Sequence, residues 1–181
     1  MNCSVAGALE ILGEWWTMLI VRDAFMGVRR FEDFQRRLGI ARNVLTTRLQ
    51  KLVAAGILER RRYQERPERF EYRLTDKGLD LYPILVSLMQ WGDRWSERGE
   101  GPPVVLVHRS CGHESQPHLV CNQCGEPADP RQMEPVAGPG FDDREEAAPH
   151  LRPRPVATQG GQKKNPAFPK LKTAPSAATI Q

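Results

Sequence analysis

The sequence predicts a mainly α chain with one small β-hairpin (α+β), a winged helix-turn-helix. A small C-terminal zinc-ribbon-like segment and a disordered tail follow it. Three observations predict this. Apolar residues recur at helical spacing from Val5 to Val53 and again from Leu79 to Trp95. Ile40 to Leu74 breaks that rhythm and reads as helix, short strand, charged turn and second strand. Positive charge gathers in the same place. Arg29 to Arg73 holds thirteen Lys/Arg against six Asp/Glu, a net of +7 in a chain of net +4. Clustered cationic charge of this kind is the electrostatic footprint of nucleic-acid binding.

The elements follow in order. Val5, Ala8, Leu9 and Leu12 make a short apolar stripe with Ser4 as its expected N-cap. Gly13 interrupts it. Trp15 to Phe25 reads as a largely buried second helix, with Arg22 and Asp23 marking its exposed or paired side. Phe31, Phe34 and Leu38 share one face of a third helix, and Gly39 supplies the turn into the next.

That next helix carries Leu45, Leu49, Leu52 and Val53 as one apolar stripe, and Gly56 stands at its C′ position. Asn43, Thr46, Thr47 and Gln50 lie about half a turn away, short donors and acceptors suited to base edges in a major groove. Arg30, Arg42, Arg48 and Lys51 are expected at phosphates, and Arg66 and Arg69 of the charged turn at phosphates or the minor groove. Arg48 lies near the apolar edge, so bracing a neighbouring helix is its alternative role.

Strands are expected over residues 57–63 and 70–74. Thr75 can cap the following helix, where Leu81, Ile84, Leu85, Leu88 and Trp95 form one stripe and Tyr82, Val86 and Met89 a second. So wide an apolar surface predicts a dimer interface; a doubly packed core helix is the alternative. Pro83 is expected to kink this helix or to begin its longer half. Residues 1–98 thus form the expected DNA-binding and dimerisation domain, and 99–133 a linker and Cys-rich segment. Residues 134–181, with more than half of the chain's 15 prolines, form the tail.

No apolar run approaches the roughly 20 residues that span a bilayer, and the N-terminus lacks a basic region ahead of its apolar stripe. The expected location is the cytosol. Four cysteines in a reducing compartment point to metal ligands or redox thiols. His108-Arg109-Ser110-Cys111-Gly112 and Cys121-Asn122-Gln123-Cys124-Gly125 share one form: ligand, two residues, ligand, glycine. Two such knuckles match a closed, tetrahedral, structural zinc site, with His113 or His118 competing with His108. Reduced thiols in a small loop are the alternative. Cys3 is either a redox-sensing thiol at a helix N-terminus or an inert small apolar residue.

Cys3, Ala8-Leu9, Ile11-Leu12-Gly13, Trp16-Thr17, Leu19-Ile20, Arg29-Arg30-Phe31, Val44 to Leu49, Ala55-Gly56-Ile57, Tyr72 to Thr75 and Trp91-Gly92 occur in an order that resembles the HxlR family of bacterial winged-helix regulators. The likeness covers roughly Cys3 to Trp95. It implies a homodimer pairing through N- and C-terminal helices, operator DNA as partner, and, in several members, oxidant or electrophile sensing at the position of Cys3. Three places depart from the family pattern. Ala41 stands where the family has a serine N-cap, Glu14-Trp15 replaces Gly-Lys, and Val28 replaces a proline.

The reading that joins these features is a homodimeric, sequence-specific DNA-binding transcriptional regulator. The competing reading is a winged-helix scaffold that docks protein through its Cys-rich segment. An enzyme is not expected, because the sequence offers no nucleophile–base pair and no phosphate-cradling Gly-rich loop.

Overall fold

The computed structural model describes residues 3–96 and 101–140. The element order is α1 (Ser4–Leu12), α2 (Trp15–Phe25), α3 (Phe31–Leu38), α4 (Arg42–Ala54), β1 (Leu58–Gln64), β2 (Arg69–Leu74), α5 (Asp76–Leu79), α6 (Tyr82–Trp95), β3 (Leu106–Val107) and β4 (Glu114–Ser115). The chain divides into two compact units, 1–118 and 119–181. The division falls inside the expected Cys-rich segment, not at residue 98. The β3–β4 hairpin belongs with the helical unit, where Gln90 Nε2 donates to Pro117 O at 2.7 Å. Most of the expected disordered tail, 141–181, lies outside the described residues. Among the described residues no single helix is long and apolar enough to cross a membrane.

The core of the first unit is Ile20 and Val21 of α2, Phe34 of α3, Ile40 of the turn before α4, Leu45, Leu49 and Leu52 of α4, and Ile57 and Leu58 at the start of the hairpin. Each comes from the apolar stripe of its own element, so the helical spacing translates directly into burial. One buried carboxylate sits among them. Asp23 is wholly buried and is held by Arg22 at 2.8 Å and Arg37 at 3.3 Å, which ties α2 to α3.

α4 ends in a Schellman turn. Gly56 N–H donates to Val53 O at 3.0 Å and Ile57 N–H to Leu52 O at 2.9 Å, with Gly56 at φ +70. β1 and β2 then pair antiparallel from Leu58–Leu74 to Gln64–Arg69, with an irregularity between Arg62 and Gln64. A contact invisible in the local pattern completes the wing base. Arg30 bridges Glu71, and Tyr72 N–H donates to Arg29 O at 2.8 Å.

Two local expectations are corrected. Cys3, not Ser4, is the N-cap of α1, and it makes no side-chain capping bond. Ala41, where the family has serine, stands at the N-cap of α4 without a side-chain bond. Thr75 does cap a helix, its Oγ1 accepting from Gly78 N–H at 3.1 Å, but that helix is the short α5. Pro83 then stands in the first turn of a separate α6, where a missing N–H costs nothing. Phe25 and Tyr82 pack ring to ring at 5.3 Å and join α6 to α2.

Two apolar faces remain open. α1 contributes no buried residue and exposes Val5, Leu9 and Ile11. α6 buries Val86 while exposing Tyr82, Ile84, Leu88, Trp91 and Trp95. Trp15 is 79% exposed beside α1.

Candidate nucleic-acid interface

The buried row Leu45, Leu49 and Leu52 fixes how α4 lies, and therefore which residues point away from the body. Asn43, Thr47 and Gln50 occupy the opposite side and are exposed. Thr46 is half-buried at the edge of this face. Both threonine hydroxyls are engaged by the helix itself: Thr46 Oγ1 donates to Arg42 O at 2.8 Å and Thr47 Oγ1 to Asn43 O at 3.0 Å. Threonines in helices bond back in this way because the i−4 carbonyl lies within reach. Of the donor and acceptor capacity expected of them, the proton is committed within the helix and the oxygen can still accept.

The cations divide into three groups. Arg48 is turned inward. Its side chain is 16% exposed, and Nη2 meets Glu14 Oε2 at 2.7 Å. Its Nε is buried without a hydrogen-bond partner among the described residues. Arg48 therefore braces α4 against the α1–α2 junction, the alternative role, and does not stand at a phosphate-facing surface. Its position near the apolar stripe, and the family-divergent Glu14, were the signals.

The second group is stacked on aromatic rings. Arg42 lies 4.9 Å from the Phe31 ring, Arg30 4.7 Å from Tyr63, and Arg60 3.3 Å from Phe70. Such stacking holds a planar guanidinium in place while leaving its N–H edge available. Arg60 was missed by the sequence reading; the alternation of β1 with an aromatic on β2 was the available clue.

The third group, Lys51, Arg66 and Arg69, is exposed and lacks an acidic partner among the described residues. Neighbouring wing arginines differ. Arg61 pairs with Glu59, Arg62 with Glu65 and Glu68, and Arg73 with Glu71. Among the cations expected at DNA, those with neither an acid nor a ring partner thus lie on α4 and at the wing tip. That tip is also where the 65–68 turn brings Arg66 and Arg69 close along the chain.

The Cys-rich turns have a shared local geometry. Gly112 N–H donates to His108 O at 2.8 Å, and Gly125 N–H to Cys121 O at 2.8 Å. Both glycines have positive φ, +72 and +80. Cys111 Sγ lies 3.4 Å from His108 Nδ1. The backbone N–H groups of Cys124 and Gln123 point at Cys121 and hold its thiol below the ordinary value. Among the described residues no three His, Cys, Asp or Glu side chains are gathered as a metal ion would require. His113 is placed on the β3–β4 turn by accepting from His108 N–H, and His118 Nδ1 contacts Gln116 O at 2.7 Å. Cys3 is exposed at the start of α1.

Comparison with known proteins places this geometry. Residues 11–100 match the HxlR-like helix-turn-helix family. An uncharacterised HTH-type transcriptional regulator of Mycobacterium tuberculosis is 51% identical over 138 residues, covering 76% of this chain and 87% of that protein. The crystal structure of PA1607, described as a candidate transcription factor, is similar at a TM-score of 0.66 and 39% identity, covering 74% of this chain and 93% of its own. The redox regulator HypR in its reduced form is similar at a TM-score of 0.50 and 31% identity, over 52% of this chain and 95% of its own. This chain therefore belongs to the HxlR-like helix-turn-helix family of transcriptional regulators, a DNA-binding and non-enzymatic class.

Proposed function

We propose that the chain acts in the bacterial cytoplasm, at the nucleoid, as a homodimer that binds operator DNA sequence-specifically. α4 enters the major groove and the β1–β2 wing lies along the backbone or in the minor groove. The observation that carries this reading is the division of cations. Lys51 on α4, with the exposed Asn43, Thr47 and Gln50, and Arg66 and Arg69 of the wing have no acidic partner among the described residues, while the wing arginines Arg61, Arg62 and Arg73 are paired with acids. The open apolar faces of α1 and α6 support pairing of two copies, since patches of this extent mark interaction surfaces.

Binding to duplex DNA across a salt series tests the reading. Affinity should fall linearly on a log–log scale as salt rises. A flat response would overturn it. Sedimentation of the full chain tests the pairing; a monomer at micromolar concentration would remove it.

In this reading Cys3 answers oxidants or electrophiles. Its exposure at a helix N-terminus and the likeness to the redox regulator HypR support that role. Oxidant should lower DNA affinity in the wild type and spare Cys3→Ser; equal loss in both would exclude Cys3.

His108, Cys111, Cys121 and Cys124 are the proposed ligands of a structural zinc. The soft sulfur and imidazole donors suit that ion, and each turn separately has knuckle geometry. Elemental analysis should find stoichiometric zinc that Cys121→Ser and Cys124→Ser abolish. Unchanged zinc in these variants would remove the site.

A further inference from the structure

The outward face of α4 carries a chemical asymmetry. The Thr47 hydroxyl proton is engaged with Asn43 O at 3.0 Å, inside the helix. With its one proton committed, this exposed side chain has no donor left for a base edge: it offers an acceptor oxygen and its γ-methyl. The side-chain amides of Asn43 and Gln50, on either side of it along the same face, make no hydrogen bond among the described residues and are exposed. The face therefore offers a methyl group between two free carboxamides.

Each of these groups has a preferred base. A carboxamide pairs bidentately with adenine N6 and N7, and a threonine methyl makes apolar contact with the thymine 5-methyl. No free arginine projects from the middle of the face, because Arg48 is held by Glu14 and Arg42 lies at the helix start against Phe31. Lys51, one turn beyond Thr47, is the exposed cation that could meet a guanine, which confines guanine reading to the C-terminal end of the face.

We propose that Thr47 is a specificity-determining residue that reads a thymine through its methyl group, not its hydroxyl, at the centre of an A·T core recognised by α4. This rests on the DNA-binding reading given above and adds to it the identity of the bases and the group that reads them.

The test uses the full-length chain and duplexes recovered from a random library by repeated selection. Replacing individual thymines with deoxyuridine deletes only the 5-methyl. At one position of the enriched motif this should weaken binding about fourfold, the value of one buried methyl. Thr47→Ser keeps the hydroxyl and should bind thymine and deoxyuridine duplexes equally. Thr47→Val keeps a methyl and removes the hydroxyl, and should retain the preference for thymine.

Preference kept by Thr47→Ser and lost by Thr47→Val would overturn the proposal in favour of the hydroxyl. So would duplex binding by the wild type that ignores deoxyuridine at every position. Failure of the wild type to bind any duplex in a salt-dependent way would instead strike the underlying reading, and this inference with it. Position 47 is exposed, and circular dichroism of both variants confirms that folding is not the variable measured.

Discussion

The helical unit and the Cys-rich extension hold their shapes by different means. In the first, α2, α3, α4 and the hairpin meet in a continuous apolar core from Ile20 to Leu58, with Phe34 wholly buried. In the second, over described residues 119–140, no side chain is fully buried. Its order comes from backbone bonds such as Cys121 N–H to Glu126 O and Ala128 N–H to Leu119 O, both between 2.8 and 3.0 Å. A segment too short to enclose apolar side chains needs another source of stability, and paired metal ligands are one such source. Core burial and backbone pairing thus hold two parts of one chain, and each should fail under a different insult.

Removing core volume should separate them most sharply. Phe34→Ala should cost about 3–5 kcal/mol, read from the shift in urea midpoint. Leu119→Ala, at a position 65% exposed, should move stability by no more than about 0.5 kcal/mol. Comparable losses at both would mean that the extension has a core of its own.

A smaller effect is expected at Gly78. A Cβ there would lie 2.3 Å from Ile57 O, which is backbone and cannot step aside. Gly78→Ala should destabilise by about 1–3 kcal/mol, with a thermal midpoint shift as the measurement. An unchanged midpoint would show that the α5 turn can slide away from the hairpin.

The smallest expected change is a gain. Ala41 has extended backbone geometry and no capping side chain. Ala41→Ser should supply an acceptor for the first turn of α4 and stabilise by about 1 kcal/mol. Because position 41 precedes the reading face, the same substitution sharpens the comparison by testing whether α4 is frayed at its start.

Much of this architecture was legible in the sequence, because helical spacing reports directly on which side of an element is buried. The α4 stripe, the Gly56 turn and the hairpin all follow from local pattern. What escaped depends on partners far along the chain. Asp23 reads as one more polar residue until Arg37, fourteen positions later, is brought to it. Arg48 has the same composition as a phosphate-binding arginine, and only Glu14 decides otherwise. The commitment of the threonine protons was illegible for a different reason. Residue type records which donors a side chain has but not whether its own backbone already uses them. At the cysteines the sequence gives the ligand types and spacing, while closure of a four-ligand site depends on the placement of separate turns.

One carbonyl links the end of α4 to the start of α5. Ile57 O accepts from Thr75 N–H at 3.1 Å and Gly78 is pressed against it, while the Thr75 hydroxyl donates to the adjacent Gly56 O at 2.6 Å. Lys77 Nζ adds a bond to Ala55 O at 2.8 Å. The pitch of α4 and the root of the wing are knotted together at this point. A descendant of this chain seeking a new binding sequence would have little scope to tilt one reader independently of the other. Its open route is to exchange outward side chains at positions such as 43, 47 and 50, and the frame beneath them would stay as it is.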